Sequence, residues 1–306
     1  MGMRKFDLVA TLALLGAILC WAIVPLFLKY LTDYIDAWTA NGIRYPFSAL
    51  LYIPWLVYFY RRGVLTKLLW KLALLPSAVN IFGQVLWAWA PYYIDPGLMS
   101  FLVRLSTLWA VLGSFVLFSE ERVLIHSRLF WSGFILSLGG FIALSMGGRY
   151  ALEGARAAGI IIIFFCSIGW AGYQISVRYN MQKVDSRAAF GMIAFLTSLG
   201  LVFFMFTFGN PSQALEMPPL VAFVALLSAF LGIAAAHLLF YVAIKRIGLV
   251  IASGANLVSA FISAFLSRIF FNEFLTAVQW IAGVALVVGG VVLTRAQLDL
   301  YRQKSD

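Results

Sequence analysis

Charge is what this sequence has least of. Only 11% of its 306 residues are Asp, Glu, Lys or Arg, against roughly 25% in an ordinary soluble domain. Too little polar surface remains to clothe a water-soluble globule. A hydrophobic share of 63% and a mean hydropathy of +0.95 point instead to a polytopic membrane protein. Cysteine is scarce too: Cys20 and Cys166 both sit inside apolar runs, lack metal-ligand spacing and read as packing residues. The histidines are His126 and His237, and none of the twelve Asp and Glu residues lies deep in an apolar run. These absences argue against a metal centre or a general acid–base pair, so neither an enzyme nor a cofactor is expected. No secretory cleavage site follows the first apolar run, near residues 8–28, which is long enough to span a bilayer.

The long apolar runs are what the sequence does have. Cutting it at charges, Gly/Pro clusters and Asn/Asp turns leaves ten: 7–29, 37–60, 70–93, 96–118, 128–147, 157–178, 187–208, 218–243, 248–271 and 277–295. Each approaches the roughly 20 residues that a spanning helix needs. The net charge of +10 would suggest nucleic acid in a soluble protein. Here it reads as a positive-inside excess, and no nucleic-acid partner is expected. Sixteen Lys and Arg flank one side of the spans, and three (Lys29, Arg149, Arg156) flank the other. That asymmetry places both termini in the cytoplasm. Arg44, Arg104 and Arg268 fall within runs.

The chain repeats itself. CWAIVPLFLKY at 20–30 is echoed by GWAGYQISVRY at 169–179. The same shift of 149 carries Asp36 onto Asp185 and Gly42 onto Gly191. Glu121, closing the fourth run, corresponds to Glu273, closing the ninth. Gly133 with Gly139-Gly140 corresponds to Gly283 with Gly289-Gly290. The expected organisation is two five-helix units, 1–150 and 151–306, in one membrane domain. Five is odd, so the second unit enters from the opposite face. The predicted fold class is therefore an all-α integral membrane protein of ten transmembrane helices in two inverted repeats, an arrangement common in secondary transporters.

Ten runs in two fives, Trp21-Ala22 near the end of the first, Arg44 early in the second and Glu121-Arg122 ending the fourth before a Gly-containing fifth resemble the drug/metabolite transporter superfamily. The resemblance is to its EamA-type members and covers essentially the whole chain. The second repeat departs from it, with Ile193 at the Arg44 position and Phe274 after Glu273. The resemblance implies helices one to four and six to nine around a central cavity, the fifth and tenth at the periphery, and a bacterial inner membrane. The expected partners are the bilayer and a small-molecule substrate, with proton coupling and a homodimer left open.

Polar groups inside spans are costly, so each is a functional candidate beside the simpler reading of helix–helix glue. Asn80, Gln84 and Trp87 share one face of the third run. His237 and Tyr241 are four apart in the eighth, and Trp170, Tyr173 and Gln174 cluster in the sixth. Arg104, several residues inside the fourth run, needs an anion, carbonyls or water. It reads as an anchor for a substrate carboxylate or phosphate, or else as a partner of helix-end carbonyls or Asp95. Its counterpart in the second half is Asn256. Arg44, Glu121 and Glu273 read as structural or gating residues. His237 is the candidate for proton coupling. Trp21, Trp87, Trp89, Trp170, Tyr173 and Tyr241 also suggest an aromatic cage for a quaternary amine. The leading expectation is export of a small zwitterionic or anionic metabolite, amino acids first, by alternating access.

Overall fold

The computed structural model describes residues 7–147, 154–181, 183–247 and 249–303. Of the sixteen Lys and Arg on the first side, Arg4, Lys5 and Lys304 lie outside the described residues, as do the side chains of Lys245 and Arg302; so does Arg149 on the other side. Among the described residues there is no strand.

The helices are α1 (Leu8–Leu31), α2 (Ala37–Arg61), α3 (Lys67–Trp89), α4 (Pro96–Leu102), α5 (Ser106–Leu117), α6 (Arg128–Met146) and α7 (Gly154–Met181). They continue with α8 (Ser186–Phe208), α9 (Ser212–Glu216), α10 (Pro219–Ala229), α11 (Ala236–Ile247), α12 (Leu249–Asn256), α13 (Ser259–Phe270) and α14 (Ala277–Gln303). Short polar residues start many of them by accepting otherwise unpaired backbone N–H groups. Asp7 caps α1 through Ala10 N at 2.9 Å, and Asp36 caps α2 through Trp38 N and Thr39 N, both at 2.9 Å. Asp185, the residue corresponding to Asp36, caps α8 through Arg187 N at 2.9 Å. Pro25, Pro46, Pro54 and Pro76 lie inside helices that run on through them.

Three spans are interrupted. A 3₁₀ turn at Val103–Leu105 separates α4 from α5, and a π-helical turn at Phe230–Ala235 separates α10 from α11. Leu257 and Val258 break the path from α12 to α13. Nine helical segments among the described residues are long and apolar enough to cross a membrane. The 25-residue α2 is long enough but too polar to count among them. Its polar residues have a place to go: Thr39, Asn41, Arg44 and Ser48 are all buried against other helices.

Helices of the first half pack on helices of the second: α1 on α11, α3 on α7, α2 on α8, α4 on α13 and α6 on α14. Small residues permit the close approaches. A Cβ on Gly42 would lie 2.5 Å from Met205 Sδ, and one on Gly191 would lie 3.0 Å from Leu56 Cδ2. The shift of 149 that relates the two glycines also relates Leu56 to Met205, so each half inserts the side chain at the corresponding position into the other's notch. At α6–α14, Cβ atoms on Gly140 and Gly289 would each fall 2.5 Å from backbone nitrogen, of Leu286 and Ser137 respectively. Gly139 faces open space. Cys166 packs in the core and its thiol donates to the Gly83 carbonyl at 3.4 Å, as a packing residue would.

Candidate functional site

The interior between α2, α3, α7, α8 and α11 is aromatic and hydroxylic. One face of α2 carries Asn41, Arg44, Tyr45, Ser48 and Tyr52 inward, all buried. The Asn41 amide donates to the Gln84 carbonyl at 2.9 Å, and Arg44 Nε donates to Ser228 Oγ at 2.8 Å. The Ser48 hydroxyl donates to the Ala229 carbonyl and the Tyr52 hydroxyl to that of Ala234, both at 2.9 Å. From α1, Trp21 Nε1 donates to the Gly232 carbonyl at 3.1 Å. These last three acceptors lie in or beside the π-helical turn, where i→i+5 pairing replaces the α-helical ladder. Side chains from α1 and α2 add donors to carbonyls of that turn.

The break also orients His237. Its Nδ1 lies 2.8 Å from the Ile233 carbonyl, so Nδ1 carries the proton and Nε2 is left as an acceptor when the ring is neutral. Phe190 stacks on the imidazole with centroids 4.5 Å apart, Trp21 meets it edge-on at 5.4 Å, and Tyr241 lies 6.5 Å away. Asn80 donates to the Tyr45 hydroxyl at 3.2 Å and to Thr197 Oγ1 at 3.1 Å. Tyr173 is buried, and its hydroxyl faces Tyr241 without a hydrogen bond of good geometry, within electrostatic reach of Tyr45 and Tyr52. Asn80, Tyr173, His237, Tyr241 and Trp21 are therefore gathered around one interior region.

The other expected site residues are placed differently. Gln84 and Trp87 are buried further along α3, and Trp87 joins the large apolar core with Trp21 and Trp170 at its edge. Gln174 is exposed, one step round α7 from the buried Tyr173. Arg104 sits half-buried in the 3₁₀ turn, where its Nε donates to the Ser100 carbonyl at 3.2 Å. Asp95, its alternative partner, is 3.4 Å from Lys29 instead. Asn256 ends α12 beside the corresponding break in the second half, and its Oδ1 is buried without a hydrogen-bond partner.

The end carboxylates are not peripheral. Glu121 is fully buried, lies 2.6 Å from Arg178 Nη1, and accepts from Ser114 Oγ at 2.5 Å and Gln297 Nε2 at 3.3 Å. Glu273 accepts from Ser267 Oγ at 2.5 Å and from the Gly97 and Leu98 amides at 2.7 and 2.8 Å, capping α4 across the molecule. Burial pushes its carboxyl above the ordinary glutamate range, against the downward pull of the Ser267 hydroxyl and the two amides. Both carboxylates lie just beyond a span end and are buried by neighbouring helices. In each half a serine and a glutamate, six or seven residues apart, close on one another. A further hydroxyl contact, Ser100 Oγ to Ser263 Oγ at 2.6 Å, joins α4 to α13 as interhelical glue.

The EamA-like transporter family matches residues 8–146 and again residues 157–296. The chain belongs to this family. As an EamA-like transporter it is an integral multi-pass membrane protein that carries the family unit twice. Its fold is shared with a solved crystal structure at 17% identity and a TM-score of 0.64, covering 96% of this chain and 98% of the other. No curated protein matches the sequence.

In this EamA-like transporter the polar face of α2 is the part that sequence reasoning missed. Arg44 was singled out, whereas Asn41, Tyr45, Ser48 and Tyr52 were not. Their spacing of four, three and four is a helical stripe and was readable. It was masked by reading α2 for apolar length alone.

Proposed function

We propose that the chain is a ten-span secondary transporter whose two halves, 1–150 and 151–306, are inverted repeats related by a two-fold axis in the membrane plane. Alternating access follows as the halves rock about the interior region. The pairing of α1 with α11, α3 with α7 and α2 with α8 supports this reading, as do the reciprocal notches at Gly42 and Gly191. Both termini are cytoplasmic, and α2 spans despite its polarity. Glu121 and Glu273 gate by tying helix ends together on opposite faces.

The substrate is a small zwitterionic metabolite, an amino acid first, and the direction is export. One observation carries this: the described interior holds buried hydrogen-bonding atoms with no partner and of both kinds. Arg44 Nη1 is a cationic donor, while Asn41 Oδ1 and Asn80 Oδ1 are acceptors and the Tyr173 hydroxyl serves as either. Such groups are destabilising when left unpaired and are satisfied by a solute carrying both a carboxylate and an ammonium. Arg104, at the α4–α5 break, is a second cationic contact for the carboxylate along the path. His237 Nε2 is the proton-coupling group, and Trp21, Gln84, Trp87, Gln174, Tyr241 and Asn256 line the path.

A quaternary amine is the alternative. It needs open ring faces, whereas the His237 face is stacked on Phe190 and Trp21 abuts His237. Counterflow in proteoliposomes tests both. Preloaded unlabelled amino acid is expected to accelerate entry of labelled amino acid, and preloaded choline is not. Acceleration by choline alone would overturn the substrate assignment, and no acceleration by any solute would overturn exchange.

A further inference from the structure

Away from the interior region, a cavity of about 490 Å³ opens between the turn preceding α4, the first turn of α7 and the loop joining α13 to α14. Its walls include Tyr93, Asp95, Arg156, Phe271, Glu273 and Phe274. Arg156 Nε and Nη2 are both buried there with no hydrogen-bond partner. A guanidinium in that state is destabilising unless an anion completes it.

The charges around it leave no occupant within the described chain. Asp95 lies 3.4 Å from Lys29. The Glu273 carboxylate already accepts from Gly97, Leu98 and Ser267. Neither carboxylate meets the two buried donors of Arg156, Nε and Nη2. A planar guanidinium offers a fork of donors that matches a carboxylate bidentately. Tyr93, Phe271 and Phe274 supply aromatic wall for an apolar body.

We propose that this cavity is a second ligand site, which binds a small monocarboxylate with an apolar or aromatic body through Arg156. It is separate from the interior region, and its occupancy does not depend on which solute the protein transports. Glu273 contributes a wall of the cavity and also caps α4, so a ligand seated here touches the helix end that the carboxylate holds.

Benzoate is the probe and benzamide its uncharged isostere, titrated calorimetrically into the full-length protein in detergent. Saturable benzoate binding at millimolar concentration is expected, with none for benzamide. Arg156→Gln is expected to weaken it at least about tenfold. Arg156→Lys, which keeps the charge and loses the fork, is expected to give an intermediate loss and stands in if the glutamine variant fails to fold. Tyr173→Phe, in the interior region, is expected to leave benzoate binding unchanged. Failure of benzoate to bind, wild-type binding by Arg156→Gln, or loss through Tyr173→Phe would each overturn the proposal. A lipid phosphate presents similar chemistry, so the titration is repeated in nanodiscs. Binding that survives in phosphatidylcholine and vanishes in phosphatidylglycerol would assign Arg156 to a lipid headgroup and overturn the small-solute site.

Discussion

Arg178 Nη1 lies 2.6 Å from Glu121 Oε1, joining the end of α7 to a fully buried carboxylate that follows α5. The pair crosses from one half of the chain to the other. Arg178 is the basic residue of the repeated GWAGYQISVRY, and its counterpart Lys29 pairs with Asp95 at the start of α4. The same sequence feature therefore serves a helix-to-helix tie in each half.

Removing Arg178 leaves the buried Glu121 charge without its arginine. Arg178→Gln is expected to destabilise by up to about 3 kcal/mol, because breaking a buried pair is worse than never having had it. Pairing it with Glu121→Gln is expected to recover part of that loss. A double-mutant cycle on melting temperature in detergent checks this, and strict additivity of the two variants would refute the coupling.

Gly139 and Gly140 are adjacent and face different surroundings. A methyl on Gly140 meets the Leu286 nitrogen at 2.5 Å and the Ala282 carbonyl at 2.8 Å, so α14 must move. Gly140→Ala is expected to destabilise by about 1–3 kcal/mol. Gly139→Ala meets nothing within 4 Å and is expected to be neutral or to stabilise by up to about 1 kcal/mol. Equal melting temperatures for the two variants would contradict the α6–α14 contact.

Glu273 should make stability fall as pH rises. Its folded carboxyl titrates above the unfolded value of 4.5, so between those two values the folded state binds more protons than the unfolded one. The stabilisation is fully present below 4.5 and is lost as pH climbs through the folded value. Glu273→Gln removes this titration and is expected to flatten the decline of melting temperature with pH. An unchanged slope would show that another group carries it.

Arg104→Gln is expected to raise the KM for a transported amino acid by roughly ten- to a hundredfold, since a hydrogen bond to a charged group contributes about 1.5–3 kcal/mol. Its melting temperature should hold near wild type, because the described guanidinium makes a single carbonyl contact through Nε. An unchanged KM for every transported amino acid would remove Arg104 from the binding path.

His237→Gln is expected to abolish the pH dependence of transport while binding persists, because the side chain at 237 would no longer take up a proton. Transport with the wild-type pH profile would eliminate His237 as the coupling group and direct attention to Glu273.

Much of this molecule was legible before any coordinates. Apolar length predicted the helices, because a bilayer-spanning segment must satisfy its backbone internally and cover itself with hydrocarbon. The family's double match, to 8–146 and 157–296, agrees with the echo found at a shift of 149. Asp36 and Asp185, aligned by that shift, both proved to be helix caps.

What the sequence hid was which polar groups meet. Glu121 and Glu273 read as structural or gating residues at span ends without their burial or partners being legible, because position along a chain reports depth in a run and says nothing of cover from another helix. Burial of Glu121 depends on its meeting with Arg178 and Gln297, 57 and 176 residues further along the chain. The stripe on α2 is hidden within the apolar run at 37–60, because hydropathy averages round a helix and loses the face. Composition and periodicity determined an all-helical membrane protein built twice, since those properties are local and additive. Only the tertiary structure decided the rest: the Tyr173–Tyr241 encounter, the tautomer of His237 and the two Arg156 nitrogens, Nε and Nη2, left without a partner among the described residues. Each of these depends on distances between helices that the sequence does not record.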